Sequence, residues 1–171
     1  SGSRGARWDG PHRDNLAPAT LELVVRSVQA IIDQAAPQRA TYCLEMMPWM
    51  APDSVERYLE LLARVDRPQF AVHVDPVNLL CSPWAYDHNS ELIQDIFRRL
   101  GPRVRSCHAK DALLRSTLTF HVDEVLPGEG ALDYDTYLTE LARLAPDTPL
   151  MVEHLRTPEE YARAVAFIRG R

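Results

Sequence analysis

Cysteine is scarce, and what there is does not pair up. Cys43, Cys81 and Cys107 are odd in number, far apart, and form no C-x-x-C. This argues against a disulfide framework and for free thiols in a reducing, cytoplasmic setting. Runs of Lys or Arg are absent and the net charge is −5, which argues against a nucleic-acid footprint or an anionic-membrane surface. No stretch approaches the ~20 consecutive apolar residues of a membrane span. No basic segment followed by an apolar one opens the chain, so no secretory signal is visible. Low-complexity tracts and linkers are missing as well. What remains is 171 residues, 46% apolar and 25% charged, the profile of a single globular domain over 1–171.

Short apolar runs alternate with longer amphipathic segments. The runs are TYCLE (41–45), QFAVHVD (69–75), RVRSCHAKD (103–111) and PLMVEH (149–154). Most read as strands buried on both faces; the third is diluted by Arg103, Arg105 and Ser106. Between them lie helical patterns. Leu21, Val24, Val25, Val28, Ile31, Ile32 and Ala35 form an apolar stripe after Pro18, a residue suited to a first turn. Asp53 and Glu56 have capping-box spacing ahead of Val55, Tyr58, Leu59 and Leu62. Asn89 precedes Leu92, Ile93, Ile96, Phe97 and Leu100, with Gly101-Pro102 closing that helix. Asp133 opens the next, and Thr157-Pro158-Glu159-Glu160 the last.

The order, one helix and then four β-α units, predicts a parallel α/β fold. From Glu45 to Asp75 to His108 to Glu153 the steps are 30, 33 and 45 residues. A TIM (β/α)₈ barrel averages roughly 30 residues per unit, so the first two steps fit and the third carries a long loop.

Each run ends in a side chain able to ligate a metal: Glu45, Asp75, His108 and Glu153. In parallel α/β folds these positions surround the C-terminal mouth of the sheet, where active sites are built. Three converging carboxylates repel one another unless a cation joins them. Three oxygens and one nitrogen suit Mn²⁺, Mg²⁺ or Co²⁺ better than a thiolate-type zinc site. A single strand-end carboxylate or a single histidine would carry no such weight; the joint pattern does.

CLE at Cys43–Glu45, HVDPVN at His73–Asn78, CHAKD at Cys107–Asp111, PGEGALDY at Pro127–Tyr134 and VEH at Val152–His154 together resemble the xylose-isomerase-like sugar phosphate isomerase/epimerase family. The resemblance spans essentially the whole chain in the right order. It implies that Glu45, Asp75, His108 and Glu153 hold a divalent cation, with Mn²⁺ the first expectation and Mg²⁺, Co²⁺ or Zn²⁺ the alternatives. It also implies that Glu45 and Glu153 are an acid/base pair acting on a sugar or sugar phosphate through a metal-stabilised ene-diolate. The sequence departs from part of the family at Asn78, where ketose 3-epimerases and the endonuclease IV branch usually carry His. Asn keeps hydrogen bonding but loses proton transfer. Three other readings remain open: an inosose-dehydratase-like lyase, an endonuclease IV-like repair enzyme, and an inactive half-barrel.

Several further residues are candidates for substrate contact. Asn78 lies beside the site. Lys110 either reaches a substrate oxygen or pairs with Asp111 in solvent. Arg4, with Arg7, either holds an anionic group or lies on mobile surface. Trp49, Trp84 and Trp8 either stack on sugar rings or pack internally. His73, mid-strand, reads as structural; His88, His121 and His154 lie near the mouth without a role, and His12 reads as a solvated loop residue. Gly128 and Gly130 shape the long loop. Four β-α units correspond to the C-terminal half of a barrel, about strands 5 to 8. The strands at 41–45 and 149–154 should then form open edges with an exposed apolar patch. Their expected partner is the missing half of the barrel or a second copy.

Overall fold

In the computed structural model, which describes residues 2–171, the most apolar of the four runs is the most buried. It forms β2 (Phe70–Val74), every residue of which is buried. The strand has a neighbour on either side: β1 (Tyr42–Glu45) and β3 (Val104–Ala109), both parallel to it. A fourth strand, Leu150–Val152, pairs in parallel with β3. Between it and β3 lies an antiparallel hairpin, β4 (Asp111–Leu114) with β5 (Val122–Val125), which makes the fourth parallel strand β6. The sheet order is β1-β2-β3-β6, with the hairpin a separate two-stranded unit.

The helices are α1 (Pro18–Ala35), α2 (Val55–Val65), α3 (Pro83–Asp87), α4 (Asn89–Leu100), α5 (Tyr134–Leu141) and α6 (Pro158–Arg169). Leu21, Val24, Val25, Val28 and Ile32 of α1 enter the core as their spacing requires, whereas Ile31 is exposed. Phe70, Val72 and Val74 pack with Tyr58 and Leu61 of α2 and Ile93 and Ile96 of α4 in one apolar cluster. Tyr58 ties α2 to two strands, its buried hydroxyl bonding the carbonyls of Leu44 (2.5 Å) and Ala71 (3.0 Å). Among the described residues no helix is long and apolar enough to cross a membrane.

Three local expectations are corrected. The cap of α2 is Ser54, whose hydroxyl accepts from the Arg57 N–H at 3.2 Å; Asp53 instead faces the Arg57 side chain at 3.8 Å. Ser54 sits in extended backbone one residue before the first helical turn, where a cap must be. Asn89 is the first residue of α4, not its cap. Its amide bonds the carbonyls of Tyr86 and Ala131, and its oxygen accepts from Asp133 N–H at 2.7 Å, tying the helix to the 127–133 loop. The segment after residue 110, expected as loop, contains the hairpin. Asp133 and Thr157 cap α5 and α6 as expected.

The sheet is open, with four parallel strands where barrel closure takes eight. β1 and β6 are its edges, as expected for a partial barrel. The face away from the helices follows from the two-residue alternation of strands. It carries Cys43 on β1, Ser106 on β3 and Met151 on β6, the last 41% exposed. This face is mixed in character, less apolar than anticipated.

Candidate metal centre

Strand register brings the site together. Glu45 of β1 stands level with His73 of β2, Val74 with Cys107, and Ala109 with Val152. One residue beyond those last pairs, Asp75 lies beside His108 and Lys110 beside Glu153. All five side chains emerge at the C-terminal end of the sheet.

One nitrogen sits at the centre. His108 Nδ1 lies 3.1 Å from Glu45 Oε1, 3.5 Å from Asp75 Oδ2 and 2.9 Å from Glu153 Oε1. One ligand atom from each of Glu45, Asp75, His108 and Glu153 lies within 4.8 Å of all the others. Asp75 is fully buried, and its Oδ2 and Glu153 Oε1 are buried oxygens that face Lys110 Nζ at 2.7 and 2.6 Å and His108 Nδ1 at 3.5 and 2.9 Å. Buried carboxylates set this close together are costly unless cations neutralise them. The four residues therefore fit a divalent ion, with a donor set of three oxygens and one nitrogen.

The electrostatics follow from this crowding. Burial alone would lower the His108 pKa, but Asp75, Glu153 and Glu45 outweigh it and raise it to about 11. Burial would raise the Glu153 carboxyl, but His108 and Lys110 pull it down to about 2. Asp75 is likewise held well below the usual carboxylate range, against its burial, by His108 and Lys110. His73 goes the other way: burial, reinforced by His108, lowers it to about 4, so its ring stays neutral.

Residues around the cluster set its shape. Asn78 donates its amide N–H to Glu45 Oε1 (3.1 Å) and to the Met46 carbonyl (2.9 Å), and its backbone N–H lies 3.3 Å from Asp75 Oδ1. It positions two of the carboxylates. The His73 ring meets His108 edge-on at 4.0 Å between centroids, with its Nδ1 2.5 Å from Ser106 Oγ. Among the described residues His73 Nε2 is buried without a hydrogen bond, and His73, Glu45 and His108 form a second set of ligand atoms within 4.8 Å. The strand pattern alone marks His73 only as an interior residue; the signal that places it beside Glu45 is the register between β1 and β2.

Of the two readings of Lys110, the structure excludes the solvent pair with Asp111, because both residues are buried, at 3% and 1% exposure, and alternation points them to opposite faces. Lys110 Nζ lies 2.7 Å from Asp75 Oδ2 and 2.6 Å from Glu153 Oε1, with Glu45 at 3.7 Å and Glu124 at 3.8 Å. Asp111 turns inward and accepts from the backbone N–H groups of Ala112, Gly128, Gly130 and Leu132. Gly128 has φ +96°, and Gly130 lies so close that a Cβ would overlap Asp111 and the Ala112 carbonyl. These glycines shape the loop as expected.

The other candidates lie elsewhere. Arg4 is exposed and lines a recess against α1 with Leu23, Val24 and Tyr42, away from the cluster. Trp49, 50% exposed, flanks a groove with Pro11, His12 and Leu16. Trp8 is exposed, and Trp84 stacks on His88 at 4.8 Å. His121 is exposed, while His154 joins the margin of the site through Glu124 at 3.0 Å. A cavity of about 820 Å³ opens at the other end of β3, between Phe97, Gly101, Val104 and Leu144, and contains none of the cluster.

Comparison with known proteins agrees with this architecture. A search of the curated proteins finds no match. Among solved structures, a xylose isomerase domain protein from Planctomyces limnophilus is 28% identical, with TM-score 0.69, over 90% of this chain and 52% of its own. A xylose isomerase-like TIM barrel protein from Mycobacterium smegmatis, solved in complex with magnesium, is 16% identical with TM-score 0.71, over 97% of this chain and 56% of its own. D-psicose 3-epimerase with D-tagatose, from Clostridium cellulolyticum H10, is 15% identical with TM-score 0.64, over 88% and 56%. The chain thus spans little more than half the length of each. The family model described as xylose isomerase-like TIM barrel matches residues 3–171, and the chain belongs to that family.

Proposed function

We propose that this chain carries the metal-binding part of a divalent-metal-dependent isomerase or epimerase acting on a sugar or sugar phosphate. The observation that carries the reading is the convergence of Glu45, Asp75, His108 and Glu153 on one point at the strand ends. A divalent cation bound there, Mn²⁺ first among the candidates, would draw electron density from a substrate carbonyl and make the adjacent C–H acidic. Asp75 and His108 act as ligands. Glu45 and Glu153 approach that point from opposite edges of the sheet, β1 and β6, so one can take a proton from a substrate carbon while the other returns it. The lowered pKa of Glu153 keeps it an acceptor at neutral pH. Asn78 holds Glu45 in place. A sugar substrate is in keeping with the fold shared with D-psicose 3-epimerase. The open edges of β1 and β6 are completed by further strands or by a second copy of the chain.

The test has two parts. Mn²⁺ titration of the chain should show one tight site that disappears in Asp75→Asn. Protein containing this chain, incubated with ketoses in D₂O, should wash deuterium into the carbon next to the carbonyl. Loss of that exchange in both Glu45→Gln and Glu153→Gln is expected; exchange surviving in both would refute the acid/base pair.

A further inference from the structure

The sequence holds a single lysine, and the fold buries it inside a cluster of carboxylates. Lys110 Nζ stands 2.7 Å from Asp75 Oδ2 and 2.6 Å from Glu153 Oε1, two of the atoms that converge with His108 Nδ1 on the cation position. An ammonium and a metal ion drawn to the same oxygens repel each other, so each weakens the other's hold on them. We infer that Lys110 is a tethered counter-ion that competes with the metal for Asp75 and Glu153 and sets both the affinity and the preferred charge of the bound cation. The inference rests on the metal-centre reading given above.

The charges are complementary. With the His108 imidazole neutral, as a metal ligand must be, Glu45, Asp75 and Glu153 bring three negative charges and Lys110 cancels one, which leaves a site matched to a divalent ion. The structure also offers the displaced ammonium a second partner. Glu124, on β5, lies 3.8 Å from Nζ at the solvent margin and is held there by His154 Nδ1, 3.0 Å from Glu124 Oε1 and 3.1 Å from Oε2. A small swing of the flexible side chain carries Nζ from Asp75 and Glu153 to Glu124. The β4–β5 hairpin thus gains a role, because β5 holds the receiving carboxylate. Repulsion between Lys110 and an incoming ion grows in proportion to the charge of that ion. The lysine therefore penalises trivalent ions more than divalent ones.

The experiment is calorimetric titration at pH 7 with Mn²⁺ and with Tb³⁺, on wild type, Lys110→Met, Lys110→Gln, Glu124→Gln and the double variant Lys110→Met/Glu124→Gln. Removing the ammonium should tighten Mn²⁺ binding by about tenfold or more, and the logarithms of the gains for Tb³⁺ and Mn²⁺ should stand at about 3 to 2. Lys110→Gln keeps a hydrogen-bond donor and should behave like Lys110→Met, which guards against a packing artefact in either. Glu124→Gln should weaken binding severalfold while Lys110 is present and have little effect once it is gone. Unchanged or weaker Mn²⁺ binding in both Lys110 variants would overturn the inference, as would equal gains for the two ions. A Glu124 effect that persists without Lys110 would overturn the role given to the hairpin. If wild type binds no Mn²⁺, the metal-centre reading itself fails, an outcome distinct from all of these.

Discussion

The Asp111→Asn substitution removes a single charge and leaves the side-chain shape almost unchanged, yet it should be among the most damaging changes to this chain. Asp111 is 1% exposed and accepts four backbone N–H groups: Ala112 at 2.8 Å and Leu132 at 2.9 Å on Oδ1, Gly128 at 2.9 Å and Gly130 at 3.1 Å on Oδ2. An asparagine keeps one acceptor oxygen, so two of the four bonds are lost and an NH₂ group faces two N–H donors. Hydrogen bonds to a charged group contribute about 1.5–3 kcal/mol each, which places the loss at roughly 3–6 kcal/mol. That is a large share of the roughly 5–15 kcal/mol by which a domain of this kind is stable. The damage should extend to the metal centre, because the inward turn of Asp111 is what directs the preceding Lys110 to the other face. Urea denaturation followed by circular dichroism reads the loss directly. Gly130→Ala should reproduce it, since its Cβ would overlap Asp111 and the Ala112 carbonyl. A midpoint shift equivalent to less than about 1 kcal/mol for Asp111→Asn would show that the loop is organised by something other than this carboxylate.

Other expectations follow from the same geometry. On the proposed reading, Glu45→Gln and Glu153→Gln should stay folded and lose Mn²⁺ affinity by about 100-fold or more, as read by calorimetry, because each replaces a charged ligand oxygen with a neutral one. With chelator present, stability should fall as the pH drops from about 6.5 towards 4, because the unfolded chain protonates His73 at its ordinary value of 6.5 while the fold delays this to about 4. His73→Gln should flatten that part of the profile; a wild-type profile already flat there would contradict the buried, neutral imidazole. Tyr58→Phe removes the hydroxyl between the Leu44 and Ala71 carbonyls and should cost about 1–3 kcal/mol in urea unfolding. The open edges β1 and β6 should make this stretch of chain associate as its concentration rises in light scattering; a persistent monomer whose edge amides resist hydrogen exchange would argue against them.

What could be read from the sequence, and what could not, divides along a physical line. A strand buried on both faces announces itself as an apolar run, and the first polar residue after it marks the mouth of the sheet. The strand-end positions of Glu45, Asp75 and Glu153 were legible for that reason, whereas His108 follows a run diluted by Arg103, Arg105 and Ser106 and was placed by the spacing of the units. Helices α5 and α6 were legible from Asp133 and Thr157, whose caps need only a few neighbouring residues. The misreadings mostly involve partners distant in the chain. Asn89 has the composition of a cap, but its side chain is used on Ala131 and Asp133, some forty positions away. The β4–β5 hairpin pairs Asp111 with Val125 across a stretch that carries no tight-turn signal, so the spacing suggested loop. Lys110 and Asp111 are adjacent opposite charges, a pair that normally sits in solvent, and nothing local betrays that strand alternation separates them. The lysine finds its carboxylates after β2 and after β6; the aspartate finds its donors in the 127–133 loop. Local pattern located the carboxylates that make the site acidic. The register between strands is what brings Lys110 and His108 against them.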